Sequence, residues 1–219
     1  MKVVPQSFEI VSPNPIIPSE IMLNLERVAR TCYKSEDKIA PQSADLLIKQ
    51  IIDRGHEAML EHSSITVKFI TDRGVSHEIV RHRLASYAQE STRYCNYSKD
   101  KFFNEITVIC PIDTNCNNPH HFDFADLARY PGLLTWLESV KQSEKAYFKM
   151  LEEGHSPQIA RSVLPNSLKT EIVMTANLRE WRHFLKLRTA ENAHPQMRAL
   201  VLPLLRYLQA ELPTIFEDI

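Results

Sequence analysis

SITVKFITDRGVSHEIVRHRLASYAQESTRY, residues 64–94, changes its period part-way along. Ile65, Val67 and Phe69 alternate with Ser64, Thr66 and Lys68, the two-residue repeat of a half-buried strand over Ser64–Thr71. After Asp72-Arg73-Gly74 the apolar residues take up helical spacing, with Val75, Ile79 and Leu84 expected to face inward. A strand and a helix in one short span make the chain mixed α/β. The last fourteen residues, from Arg81, then carry three Arg, a His, a Gln, a Glu, two Ser, a Thr and two Tyr. These are donors that suit an anion, crowded into a chain whose formal net charge is only -1.

Outward from this stretch the pattern continues. Lys2–Val11 reads as a strand, followed by a Pro-punctuated turn over Ser12–Pro18. Ser19 is expected to N-cap a helix whose apolar face holds Ile21, Leu25, Val28, Ala29 and Cys32. A second helix, Ala44–Arg54, stops at Gly55. Ile106–Cys110 is a short strand and the following IDTNCNNPHH a turn-rich loop, in which His120 and His121 carry no signal. A long amphipathic helix over Leu133–Glu153, with Trp136, Leu137, Val140, Tyr147, Phe148 and Leu151 on one face, ends at Gly154. A short helix over Gln158–Val163, a strand through Leu168, Thr170, Ile172 and Met174, and closing helices over Leu178–Thr189 and His194–Glu211 complete the order, with Pro203 expected to kink the last. No repeat or linker divides residues 1–219, so one domain is expected, a central sheet flanked by helices.

Composition narrows the function classes. Lys+Arg (26) and Asp+Glu (27) cancel, so no global basic field holds nucleic acid, and any anion site is local. The four glycines, Gly55, Gly74, Gly132 and Gly154, cannot write GxGxxG or GxxxxGK[ST]. A bound nucleotide would therefore be held by side chains. Cys32, Cys95, Cys110 and Cys116 form no CxxC pair, no apolar run reaches about 18 residues, and the N-terminal residues hold no signal-like apolar core. The expectation is a reduced, cytoplasmic protein.

Three windows carry candidate chemistry. Arg81, His82 and Arg83 would fan out at about 100° steps on a helix, serving one large ligand, two ligands on neighbouring sides, or simply a solvated helix end. In NLREWRHFLKLR, Asn177 and Glu180 have the spacing of an N-cap and its N3 partner. Arg179, Arg182, His183 and Lys186 then share one face, whereas Arg188 falls in the stripe of Trp181, Phe184 and Leu185. An Arg on an apolar stripe is either structurally paired or aimed at a sheltered ligand. HEAMLEH, residues 56–62, is not HExxH, and the spacing of His56 and His62 does not suit one metal, so no metal site is expected.

Taken together these residues resemble the flavin-dependent thymidylate synthases. The family signature is RHR, seven residues, then Ser, matched here by Arg81-His82-Arg83, LASYAQE and Ser91. HEAMLEH is similar to its GHE…EH segment, and IARSVLP, TANLREWRHFLKLR and AHPQMR to its C-terminal half, in order and spacing. The resemblance runs from about Ser19 to Leu208. It implies an enzyme that methylates dUMP to dTMP with methylenetetrahydrofolate as carbon donor and an NADPH-reduced FAD as hydride source. It also implies a homotetramer with the flavin between subunits.

Carried over, the resemblance puts His56, Arg81, His82, Arg83, Gln89, Asn177, Arg179 and His183 at the flavin. It puts Glu78, Arg81, Gln89, Glu90, Ser91, Thr92, Arg93 and Arg161 at dUMP, and Arg188 at the uracil, where it would favour the N3-ionised form. The folate-only synthases use a Cys in a Pro-Cys-His setting; Cys110 precedes Pro111 with no His after it. Two positions depart from the family pattern. Ala88-Gln89 replaces a frequent Asn-Glu, keeping a hydrogen-bonding arm without the carboxylate charge, and Ala58 stands where a hydroxyl or Pro is common, which removes one expected flavin contact. The rival classes are a non-catalytic nucleotide- or RNA-binding phosphate grip and a metal-dependent nucleotide hydrolase. Neither accounts for four matching segments in order.

Overall fold

The computed structural model describes residues 1–111 and 132–219. Cys116, His120, His121 and the turn-rich loop expected around them lie outside the described residues. The fold is mixed α/β. β1 (Lys2–Val4) pairs in parallel with β5 (Thr107–Ile109), matching Lys2 to Thr107 and Val4 to Ile109. A four-stranded sheet has the order β2 (Ser7–Ser12), β3 (Ser64–Asp72), β6 (Lys169–Asn177), β4 (Ala85–Gln89). The single strand expected over Lys2–Val11 is therefore two strands in different sheets. Pro5 stands between them, and with no N–H to give and a fixed φ it cannot continue a ladder.

The alternation read from the sequence is seen in both inner strands. β3 buries Ile65, Val67, Phe69 and Thr71, and β6 buries Thr170, Ile172, Met174 and Ala176. Helices α1 (Pro18–Thr31), α2 (Ser43–Asp53), α4 (Leu133–Glu152), α6 (Leu178–Arg188) and α7 (Pro195–Glu211) fall within a few residues of expectation. Gly55 and Gly154, just past α2 and α4, have φ of 70° and 89°, the left-handed turn that only glycine makes without strain. Ser19 is not the N-cap of α1: the helix begins at Pro18, whose fixed φ suits the first helical position, and Ile17 occupies the cap without a side-chain bond. Cys32 follows α1 and is exposed.

α3 (Arg73–Ile79) is shorter than its apolar pattern implied. Asp72 Oδ1 accepts the Val75 N–H at 2.7 Å, which starts the helix directly from the end of β3. Val75 and Ile79 are buried as expected, but Leu84 is 77% exposed, because the helix has ended and the chain is turning into β4. Pro203 lies inside α7, and short helices α5 (Pro157–Ala160) and α8 (Pro213–Phe216) complete the described α-helices. No helix among the described residues is long and apolar enough to cross a membrane.

The chain forms two compact units. The first comprises Met1–Ser7, Ile70–Ile79 and Ala88–Ile172. Its core gathers Val3, Ile106, Val108, Leu137, Val140 and Leu168 around Tyr147, whose ring meets Tyr97 and Phe148 edge-on at 5.7 and 5.3 Å. The second comprises Phe8–Phe69, Val80–Tyr87 and Val173–Ile219. Here α1 packs on α2 and on the 3-10 turn Glu57–His62, and α6 packs on that turn and on α7. Phe69, Trp181 and Phe184 form one aromatic cluster, and Trp181 Nε1 donates to the Ile65 carbonyl at 2.9 Å. Full burial of each such side chain is worth about 1.5–3 kcal/mol. Together they fix α6 against β3.

Candidate active site

The second unit holds most of the residues that sequence placed at a flavin. Because α3 stops at Ile79, Arg81-His82-Arg83 occupies the turn before β4, not a helix. The side chains point out, in and out: Arg81 and Arg83 are exposed, and His82 is 5% exposed. Neither Arg81 nor Arg83 has a side-chain partner among the described residues. His82 packs edge-on against Phe184, with centroids 4.8 Å apart, and its carbonyl accepts the Tyr87 hydroxyl at 2.8 Å. Burial pushes the Tyr87 phenol up to about 12, so it remains a donor.

Both nitrogens of His82 are engaged. Nδ1 lies 3.1 Å from Glu180 Oε1, and Arg188 Nε donates to Nε2 at 3.1 Å. Arginine can only donate, so Nε2 must carry the lone pair and Nδ1 the proton. Burial holds the His82 pKa below its ordinary value, outweighing the Glu180 hydrogen bond that opposes it, and the neighbouring Arg188 charge acts in the same direction as burial. The ring is therefore neutral. Arg188, half-buried at the end of α6 with Trp181, Phe184 and Leu185, is thus held by an uncharged partner. His82, Glu180 and His183 also bring possible ligand atoms within 4.8 Å of one another. This set does not suit a metal ion, since a ligating Nδ1 would send the proton to Nε2, where it would face the Arg188 donor.

Asn177 caps α6 as the spacing required, its Oδ1 accepting the Glu180 N–H at 2.9 Å. Arg179 and His183 are exposed on one face of that helix. Arg182, placed by periodicity on one face with Arg179, His183 and Lys186, differs from them: it is buried and structurally paired, with Glu57 at 3.1 Å and the Asp218 carboxylate at 2.6 and 2.7 Å, and it donates to the Ile215 carbonyl. HEAMLEH is a 3-10 turn whose Leu60 is buried and whose Glu61 accepts from Arg179 at 2.6 Å. His56, exposed, borders a cavity of about 430 Å³ with Ile51, Arg54, Met59 and Arg179. A second cavity of about 600 Å³ is bordered by Asn177, Arg179, Glu180, His183 and Lys186.

The first unit holds most residues that sequence placed at the nucleotide. Glu78 lies on α3, half-buried. Gln89 ends β4 and turns inward, its amide donating to Ser76 Oγ at 2.9 Å and Thr170 Oγ1 at 3.2 Å. Arg73 donates to the Glu90 carbonyl at 3.1 Å, and the Glu90 N–H donates to Glu171 O at 2.9 Å, so the chain is pinned where the polar loop begins. The Glu90 carboxylate meets Lys169 at 3.3 Å. Ser91 O accepts the N–H groups of Tyr94 and Cys95, and Arg93, exposed, lies 5.5 Å from the Tyr94 ring centroid. Arg161 donates to Thr92 Oγ1 at 3.1 Å, beside a cavity of about 470 Å³ bordered by Arg73, His77, Arg161, Ser162 and Asn166.

A profile of the family described as thymidylate synthase complementing protein matches residues 22–214. The chain belongs to the flavin-dependent thymidylate synthase family. Proteins of that name are similar along most of its length. One from Mycobacterium tuberculosis is 37% identical over 201 residues, 89% of this chain and 78% of that protein. One from Corynebacterium aurimucosum is 35% identical over 210 residues, 91% and 80% of the two chains. A third, from Mycolicibacterium gilvum, is 35% identical over 204 residues, 89% and 78%. Sequence reasoning missed the residues that support these candidate positions. It read Glu180 only as a capping partner, Arg73 only as part of a turn and Thr170 only as a strand residue, and it passed over Lys169 and gave Tyr87 no role. The one available signal was Glu180 itself, an acidic residue beside the Trp181 stripe with no basic neighbour four residues on.

Proposed function

We propose that the chain catalyses the reductive methylation of dUMP to dTMP, taking the carbon from methylenetetrahydrofolate and the hydride from FAD reduced by NADPH. The observation that carries this reading is the Arg188–His82–Glu180 chain of hydrogen bonds, which holds a cation beside an apolar stripe against an uncharged imidazole. A guanidinium so held stabilises negative charge developing on a pyrimidine ring more than it would in water, because its dipolar surroundings need not reorganise. The donor set also fits a flavin nucleotide: Arg54, His56 and Arg179 offer cationic and N–H groups around a cavity whose remaining wall includes Ile51 and Met59. FAD, when bound there, supplies the hydride that completes the methyl group.

The chain's own residues then bind, orient and exclude water. Arg188 contacts the uracil and favours its N3-ionised form, while neutral His82 fixes the guanidinium and takes no proton. Arg81, Arg83, His56, Asn177, Arg179 and His183 hold the flavin. Arg93 and Arg161 neutralise the nucleotide phosphate, with Glu78, Gln89, Glu90, Ser91 and Thr92 lining the rest of that subsite. The inward bonds of Gln89 to Ser76 and Thr170 support a bracing role as well. Each chain acts as one domain of a cytoplasmic homotetramer with flavin between subunits.

The test is an anaerobic absorbance record of the purified protein during NADPH addition, with and without dUMP. The expected result is a flavin band that bleaches at a rate altered by dUMP. Absence of a flavin band after added FAD would refute the reading.

A further inference from the structure

Glu180 belongs to none of the expected ligand contacts, yet it is a carboxylate only 5% exposed. Its backbone N–H is satisfied by Asn177, so the helix cap does not use its side chain. That side chain faces His82 Nδ1 at 3.1 Å, 98 residues away in sequence. Free imidazole exchanges readily between its two neutral tautomers, and the group bonded to one nitrogen decides which form is present. With Nδ1–H held by a carboxylate, Nε2 is obliged to be an acceptor. Arg188 Nε lies 3.1 Å from that acceptor. The alternative tautomer would set N–H against N–H and turn the guanidinium away.

We infer that Glu180 is a positioning residue: by holding the Nδ1–H tautomer of buried His82 it sets the orientation of Arg188, and so acts on the reaction through two hydrogen bonds without touching substrate. The inference rests on the proposed role of Arg188 at the uracil. A metal site formed by the same His82, Glu180 and His183 is disfavoured by the same proton assignment. Tyr87, on the His82 carbonyl, secures the backbone of the turn and leaves both ring nitrogens to Glu180 and Arg188.

The experiment has two arms. In the first, histidine is 15N-labelled and the ring nitrogens are observed by NMR, with His82→Gln supplying the assignment. Wild type is expected to show His82 Nε2 as a lone-pair nitrogen and Nδ1 as protonated, and Glu180→Leu to show the two tautomers in exchange. A protonated Nε2 in wild type overturns the inference whether or not the protein makes dTMP, so this arm separates it from the proposed function. In the second arm, Glu180→Leu and Glu180→Gln are compared in flavin-loaded protein. Loss of a hydrogen bond to a charged orienting group corresponds to about ten- to a hundredfold, and kcat for dTMP is expected to fall by that amount in Glu180→Leu with flavin content retained. Glu180→Gln, which keeps an oxygen to accept Nδ1–H, is expected to recover most of the loss. A Glu180→Gln variant as slow as Glu180→Leu, or a Glu180→Leu variant with unchanged kcat, overturns it.

Discussion

Replacing Arg188 with Ala separates cofactor retention from chemistry. In the structure Arg188 makes a hydrogen bond to a neutral, buried acceptor at 3.1 Å and stands in the stripe of Trp181, Phe184 and Leu185. Losing one preorganised donor aimed at developing charge costs about 10²–10³ in kcat, or about 2.7–4 kcal/mol. The variant also leaves His82 Nε2 without its donor, a further cost to folding of about 1–3 kcal/mol if no water replaces it. The fully buried Trp181 and Phe184 do not depend on Arg188, so the fold should survive this loss. Turnover is followed by release of tritium from 5-tritiated dUMP, and flavin content by absorbance after desalting. The expected outcome is flavin close to wild-type stoichiometry with tritium release down by about two to three orders of magnitude. Flavin lost in the same proportion as turnover would show Arg188 to be structural and would refute the reasoning.

Two further outcomes follow from neighbouring contacts. Gln89→Leu removes two hydrogen bonds of about 1 kcal/mol each from the base of the Glu90–Arg93 loop, so KM for dUMP should rise by up to about thirtyfold with flavin content unchanged; a loss of flavin instead would contradict the bracing role. Asp218 has its pKa lowered chiefly by its hydrogen bond to Arg182, so its contribution to stability is present above the unfolded value of about 3.9 and fades as pH falls through the folded one. The difference in Tm between wild type and Asp218→Asn should therefore be widest above about pH 4 and close below it. A gap that stays constant with pH would mean that the Arg182 pair does not stabilise the fold.

Much of the architecture could be read locally. The alternation in β3 and β6, the glycines after α2 and α4, and the Asn177 cap depend on residues a few positions apart, and these expectations match the structure. The placement of Arg188 on the apolar stripe of α6 was legible for the same reason. What it touches was not, because His82 is 106 residues away in sequence. Strand β4 was missed because Ser86, Tyr87, Ala88 and Gln89 form a half-exposed edge with no apolar alternation to announce it. Leu84 and the RHR fan were misread together. Periodicity carries no mark of where a helix stops when the stopping residue is neither Gly nor Pro, and α3 ends at Ile79. The burial of Arg182, which periodicity put on one face with Arg179, His183 and Lys186, was not legible because Glu57 and Asp218, which neutralise it, are remote in the chain.

The strand order has a consequence for synthesis. β3 and β4 leave the ribosome almost together, yet β6 separates them in the sheet, and β6 is made only after the whole of α4. A nascent chain ending before Lys169 has both flanking strands and nothing to join them, so their unpaired edges stay open while the intervening residues are translated. Pairing then needs the closure of a long loop, a slow step in proportion to its entropy. The sheet is completed from the middle, by insertion of its last strand, and α6 with Arg188 can take its place only after that insertion.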